Sequence, residues 1–302
     1  MRMSIESFRT AVDRGWKNMH SVCALRTCRN TMLIRSVPQR RVGVQVGQLW
    51  YCSVDCFVGA ALTRLAELSD ERIVEMQHRP RLPIGLVMVS KDYLTGEQLR
   101  YATAQSVLHG EELEFALVRL GLASERQLAS ARAAQWGCPV VKQEGVGQMV
   151  EADIPATLLR SSCAVPLHYS EATKRLLLGF VFRVEHTLLH ALEQVIGCKA
   201  QPCFITPTEF EIQMTRLAAV PDYKEVAFEQ LMTPMQMANT LGGLAVEISA
   251  REANFVNCRD YIWTRLSGKR RRVDVLFRAR RKIDSATSEK FMYQEENFGS
   301  LG

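Results

Sequence analysis

The sequence predicts an α+β protein assembled from segments of different kinds, and three observations point there. Two closely spaced cysteine pairs lie in a segment that alternates like a strand and then turns helical. A helical unit occurs twice at a fixed offset. A C-terminal stretch changes from helical spacing to strict alternation. Four segments result: residues 1–70 a cysteine-rich module, 76–140 a tandem helical repeat, 141–217 a small α/β domain, and 218–302 a helix and a basic β-hairpin with a disordered tail. The composition, 47% hydrophobic and 23% charged, is that of an ordinary globular chain and excludes a fibre, a coiled coil or a wholly disordered protein. No apolar run approaches the roughly 20 residues of a spanning helix. The start, MRMSIESFRT, lacks the apolar core of a secretory signal, so the cytoplasm is the expected compartment. There cysteines serve as thiols or metal ligands.

In the first segment the pairs are Cys23-x4-Cys28 and Cys52-x3-Cys56. Two short-spaced pairs match the needs of a four-coordinate zinc, each supplying two thiolates from one turn while the intervening chain folds back to close the tetrahedron. From Arg41 to Tyr51 the residues Val42, Val44 and Val46 alternate as in a strand. Phe57, Ala60, Ala61, Leu62, Leu65 and Leu68 then follow a helical pattern. Ser53 can cap that helix, which puts Cys56 in its first turn, where the helix dipole favours a thiolate. Strand, knuckle and ligand-bearing helix resemble a treble-clef or zinc-ribbon module, which implies structural zinc held by Cys23, Cys28, Cys52 and Cys56. Four reduced thiols and a redox pair are the alternatives, and His20 or His78 could replace a ligand.

Sliding residues 83–106 by 29 positions lays them on 112–135. Thr95 falls on Ser124, Gln98 on Gln127, Leu99 on Leu128 and Ala102 on Ala131. Ile84, Met88 and Val89 fall on Leu113, Leu117 and Val118. Each copy reads as a short apolar helix, a tight turn and a second helix opened by a hydroxyl cap with glutamine three residues later, a capping box. Gly121 supplies the left-handed position between the helices, and Asp92 stands there in the first copy.

This unit resembles the tandem motif in the N-terminal domain of type II secretion and type IV pilus assembly ATPases. The resemblance continues through QWGCPVV at 135–141 and IPATLLRSSCAVPLHYS from Ile154, and covers about residues 80–217. It implies a helical tandem unit followed by a small α/β domain, and partners among secretion, pilus or motility assembly proteins. In several members of that family the motif binds cyclic di-GMP. Here Pro83 occupies the first arginine position, followed by Ile84 and Gly85, and Glu112 and Glu114 stand where the second copy would have arginine and glycine. Carboxylates repel a bis-phosphate ligand, so the expectation is a scaffold kept and a nucleotide site lost. Arg81, Gly85 and Gln135 are the residues that would meet cyclic di-GMP. The family's G-x-x-x-x-G-K-[ST] does not occur, so the chain resembles the regulatory part without the motor. Gly242-Gly243 reads as a turn or helix end.

Pro221 marks a boundary, after which Thr233-Pro234 opens a helix carrying Met235, Met237, Ala238 and Leu241. After Asn254, FVNCRDYIWTRL, a turn at Ser267-Gly268-Lys269, and VDVLFRARR read as a hairpin with Tyr261 and Trp263 on one face and arginines on the other. The net charge of +6 divides unevenly: residues 259–282 carry ten basic and two acidic side chains, and residues 1–80 carry twelve and seven. What remains, 16 basic against 23 acidic, is an acidic middle. Lys269, Arg270, Arg271 and Arg272, with Arg278, Arg280, Arg281 and Lys282, form a basic surface for phosphate, for an acidic protein surface or headgroups, or simply for solvent.

No catalytic constellation emerges. His186-x3-His190 lacks the glutamate and third ligand of a metalloprotease site, and Cys198 and Cys203 flank a strand as core residues. The expected protein is a non-enzymatic cytoplasmic adaptor. A nucleic-acid-binding regulator using the zinc module and hairpin, or a cyclic di-GMP receptor, is the alternative.

Overall fold

A computed structural model describes residues 20–28, 31–33, 43–70, 81–141, 154–218 and 225–279. The expectations placed on Arg41, Val42, Pro221, His78, Arg280, Arg281, Lys282, the side chain of His20 and the tail beyond Ser285 lie outside the described residues. The described chain is α+β, with nine helices and three sheets of two, six and three strands.

The repeat forms four helices: α2 (Ile84–Ser90), α3 (Gly96–His109), α4 (Leu113–Arg119) and α5 (Glu125–Trp136), numbered after α1 (Val54–Asp70). Both capping boxes are closed. Thr95 Oγ1 accepts from the Gln98 amide at 3.2 Å while Gln98 Oε1 accepts from the Thr95 amide at 2.8 Å, and Ser124 and Gln127 repeat both distances. Asp92 and Gly121 occupy equivalent turns with φ of 57° and 66°, so the same left-handed corner is made with and without a side chain. Met88, Leu94, Leu117, Ala123 and Leu128 bury the interior of the unit, and Tyr93 Oη lies 3.0 Å from Ser130 Oγ, joining the copies.

A short helix α6 (Ala156–Ser161) leads into β5 (Ala164–Ser170) and β6 (Arg175–Phe180). Helix α7 (His186–Ile196) then crosses to β7 (Lys199–Phe204), and α8 (Pro207–Ala218) follows. The order is β5-β6-β7, with the first pair antiparallel and the second parallel, as the crossover through α7 requires. Leu158, Leu176, Leu178, Phe180, Leu192 and Phe204 fill its core, and Cys198 and Cys203 are buried there.

The six-stranded sheet joins the two ends of the chain. Its order is β4-β3-β9-β10-β11-β8. Strands β3 (Val44–Val46) and β4 (Leu49–Tyr51) come from the cysteine-rich segment, after the β1 (His20–Val22) and β2 (Thr31–Leu33) pair. Strands β8 (Glu225–Phe228), β9 (Glu252–Asn257), β10 (Tyr261–Ser267) and β11 (Arg272–Arg278) come from the last segment, with α9 (Pro234–Glu247) between β8 and β9. The single strand expected up to Tyr51 is therefore a hairpin. It turns at Gly47, whose φ of 58° no β-branched residue would adopt without strain. Strand β3 pairs parallel with β9, Gln45 facing Glu252 and Val46 facing Ala253.

Both faces of this sheet are covered. Ile262, Leu266, Val273, Val275 and Phe277 meet Phe57 and Leu65 of α1 and Leu241 of α9 on one side. Tyr261, Trp263 and Leu276 join the core of the three-stranded domain on the other. Gly242 lies inside α9 and not at its end, contrary to the expectation from sequence. A Cβ there would come 2.6 Å from Val58 Cγ2, so the missing side chain lets α1 and α9 approach. The face assignment of β10 also differs. Arg265 shares the side of Trp263 and is buried, because Asp274 on the facing strand neutralises it.

Candidate metal centre

The four N-terminal cysteines converge. Cys23 follows β1, and Cys28 closes the same tight turn through its amide, which donates to the Leu25 carbonyl at 2.9 Å. Cys52 follows β4. Cys56 sits in the first turn of α1, where its amide donates to Ser53 Oγ at 3.2 Å, the cap expected from sequence. The turn between Cys23 and Cys28 is pinned to the rest by the Ala24 amide, which donates to the Trp50 carbonyl at 2.9 Å. Leu25 packs over Gly59 of α1, where a Cβ would lie 3.4 Å from its Cδ1. Gly43, at the other side of the hairpin, faces the Tyr51 carbonyl and the Trp50 indole so closely that a Cβ would fall 2.4 Å from that oxygen.

All four Sγ atoms lie within 4.8 Å of one another, with Cys28 to Cys52 at 3.6 Å and Cys52 to Cys56 at 3.7 Å. A disulfide needs about 2.05 Å, so these are separate thiols. A zinc ion bound at about 2.3 Å to four sulfurs sets the edges of its tetrahedron at about 3.8 Å, and the two closest separations match it. Cys23, Cys52 and Cys56 are buried and Cys28 is half-buried. Burial alone would push the Cys23 thiol up, but hydrogen bonds from the amides of Cys52 and Leu25 and from the neighbouring thiols bring it down to about 7. Cys52 is pushed up to about 12 by burial and by its contacts with the other three sulfurs. For Cys56 the contacts with Ser53 and Cys52 act downward, yet burial and the thiols of Cys28 and Cys23 leave it raised. Four sulfurs at these separations form a soft donor set, and a divalent cation bound there would displace their protons. The donor set fits zinc, with Cys23, Cys28, Cys52 and Cys56 holding it. Four sulfurs complete its shell, so its contribution would be to bind two turns together.

The other residues singled out in the sequence lie elsewhere. The Arg81 guanidinium carbon stands 3.2 Å from the centroid of the Trp136 ring, and Gln135 Nε2 donates to the Leu82 carbonyl at 2.6 Å. Gly85 is buried, and a Cβ would reach 2.6 Å from Leu99 Cδ1 and 3.2 Å from Leu113 Cδ2, so its bareness serves helix packing. Glu114, in the position equivalent to Gly85, pairs with buried Arg132. Arg132 in turn donates to the Val181 carbonyl at 2.7 Å and stacks on Phe182, so the pair ties the repeat to the three-stranded domain. Nothing in local spacing marks that link. Lys269, Arg270, Arg271 and Arg272 are exposed at the turn between β10 and β11. Arg259, Arg265 and Arg278 are engaged internally, with Glu185 at 2.6 Å, Asp274 at 2.9 Å and Glu229 at 3.6 Å. His186 packs against Trp136, and His190 contacts Gln194. Among the described residues, no helix is long and apolar enough to cross a membrane.

No protein-family model matches the chain, and no curated relative matches it. Among solved structures it is similar to MshE, in a structure described as being with cdg, at 20% identity over 45% of this chain and 99% of that one, with a TM-score of 0.38. It is similar also to the N-terminal domain of XpsE in two crystal forms. One is 23% identical over 44% of this chain and 92% of that one, with a TM-score of 0.34; the other is 21% identical over 49% and 98%, with a TM-score of 0.29.

Proposed function

We propose that this chain is a non-enzymatic adaptor that docks to a secretion, pilus or motility assembly through its tandem helices, with structural zinc clamping its N-terminal module in treble-clef fashion. The observation that carries the docking reading is a set of large apolar side chains left in solvent on a doubly capped, duplicated helical frame. Leu86, Tyr101, Val107, Leu108, Phe115 and Val118 are all exposed. Leu86 and Phe115 are equivalent by the 29-residue offset, but Phe115 also lies against Phe182 with ring centroids 6.4 Å apart, so the docking reading rests on Leu86, Tyr101, Val107 and Leu108. Val107 and Leu108 are neighbours in the last turn of α3, and exposed apolar side chains grouped on a capped helical frame are what a partner surface offers.

Cyclic di-GMP is not part of this reading. Arg81 and Gln135 are engaged within the fold, and Glu114 is held by Arg132 where a nucleotide-binding copy would present bare backbone. Calorimetry of the folded chain with cyclic di-GMP is expected to show no binding heat; micromolar affinity would overturn this part.

The docking test is co-purification from the native cell with the wild-type chain and with the Val107→Glu, Leu108→Glu double variant. Secretion, pilus or motility components are expected with the first and lost with the second, at unchanged thermal stability. Their absence from the wild-type sample would overturn the reading.

A further inference from the structure

The register of the six-stranded sheet places the cysteine cluster and the basic turn at the same end. Tyr51, immediately before Cys52, faces Val44. The next residue along β3, Gln45, donates its amide to the Arg251 carbonyl at 2.8 Å, and the Arg251 amide donates to the Ser267 carbonyl at 2.8 Å. Tyr51, Val44, Arg251 and Gly268 therefore form one row across four strands, about 14 Å from end to end at the usual strand spacing. Lys269, Arg270 and Arg271 project from one end of this row, Arg251 lies within it, and Arg26 is exposed on the Cys23–Cys28 turn at the other. Five cations drawn from the first and last segments of the chain thus lie along one edge.

The edge has a built shape. Gly268 is wedged against the end of α9: a Cβ would fall 2.4 Å from the Ile248 carbonyl, and the Gly268 amide donates to the Arg271 carbonyl at 2.8 Å. The turn is consequently held at a fixed position. Beside it opens a cleft of about 610 Å³, lined by Arg251, Lys269, Arg270 and Arg271 with Glu247 and Ser249. Ile248, its remaining lining residue, is buried. A protein-docking surface centres on aromatic or aliphatic anchors, and this cleft offers none. Arginine forks on a firm backbone with one opposing carboxylate suit a polyanion of regularly spaced phosphates.

We propose that this sheet edge, from the Cys23–Cys28 turn to the Lys269–Arg271 turn, binds the phosphate backbone of a nucleic acid. The surface lies apart from the exposed apolar side chains of the tandem helices and does not depend on the docking reading.

The test uses the full, zinc-loaded chain and a fluorescein-labelled 20-base-pair DNA duplex, read by anisotropy over a salt series. Up to five phosphate contacts give an expected slope of log K against log salt of about −3 to −4.5. The triple variant K269E/R270E/R271E is expected to weaken binding at least tenfold with an unchanged unfolding midpoint, and R26E at least threefold. Absence of binding, a salt-independent affinity, or either variant binding like wild type would overturn the proposal. Equal or tighter binding of fluorescein-labelled polyglutamate, or of phosphatidylglycerol vesicles, would also overturn it, in favour of an acidic protein or a membrane surface. Docking variants on α3 should leave DNA affinity unchanged, which separates failure of this proposal from failure of the adaptor reading.

Discussion

Asp274 has no exposed surface and accepts hydrogen bonds from Trp263 Nε1 at 2.5 Å, Arg265 Nε at 2.9 Å and Arg265 Nη2 at 3.0 Å. The carboxylate faces Arg265 across β10 and β11, and the indole is its diagonal neighbour. Removing one partner of a buried pair strands the other charge, so Asp274→Ala should cost about 3–5 kcal/mol, read as a lowered urea midpoint. One residue away, Thr264 is fully buried with its hydroxyl unpartnered. Thr264→Val keeps the shape and removes an unsatisfied group. It should stabilise the fold by about 1 kcal/mol in the same measurement, with the opposite sign from Asp274→Ala. Cysteine chemistry divides by burial in the same way. Burial pushes the Cys203 thiol up to about 12 and that of Cys258 higher still. Iodoacetamide at pH 8 should leave both unmodified in the folded chain, as mass spectrometry of tryptic peptides would show.

The helices of the repeat carry their boundaries in their own side chains. Thr95, Gln98, Ser124 and Gln127 close their capping boxes because the required hydroxyl and amide lie three residues apart, a relation wholly local in sequence. Thr95→Ala and Ser124→Ala should each cost about 1 kcal/mol, and nearly equally, since the two boxes share their distances. Asp92 and Gly121 were legible for the same reason, as was the β10–β11 hairpin from its alternation and Gly268. The parallel pairing of β3 with β9 was not. It joins residues about 200 positions apart and is announced by no turn, because parallel neighbours are set by long-range packing. The placement of Arg265 escaped alternation because both faces of β10 are buried, and a two-sided strand carries no polar side to read. Gly242 looked like a helix end because glycine's common local role is termination; its role here, closeness to Val58, belongs to another helix.

At the scale of the molecule, the sheet built from both ends of the chain stands between the α1–α9 layer and the three-stranded domain. Charge follows the same plan. Arg259 of the basic C-terminal segment pairs with Glu185 of the acidic middle in a largely buried contact, and Arg278 pairs with Glu229 at the surface, so part of the uneven charge is neutralised within the chain. The four cysteine sulfurs came together as their spacing indicated, but the basic turn beside them became visible only once β3, β9 and β10 were in register. A metal in the cysteine cluster would therefore brace strands from both ends of the chain. Chelation should lower the unfolding temperature of the full chain and loosen β9–β11 as well as the first 70 residues, a coupling that hydrogen exchange would detect as lost amide protection on Ile262 and Val275. The most direct test of the proposed zinc clamp is the metal content of the full chain purified without added metal, measured by plasma mass spectrometry beside the Cys52→Ser variant. One zinc per wild-type chain, falling toward none in the variant, is the expected result; a folded wild-type chain with no bound metal would contradict it.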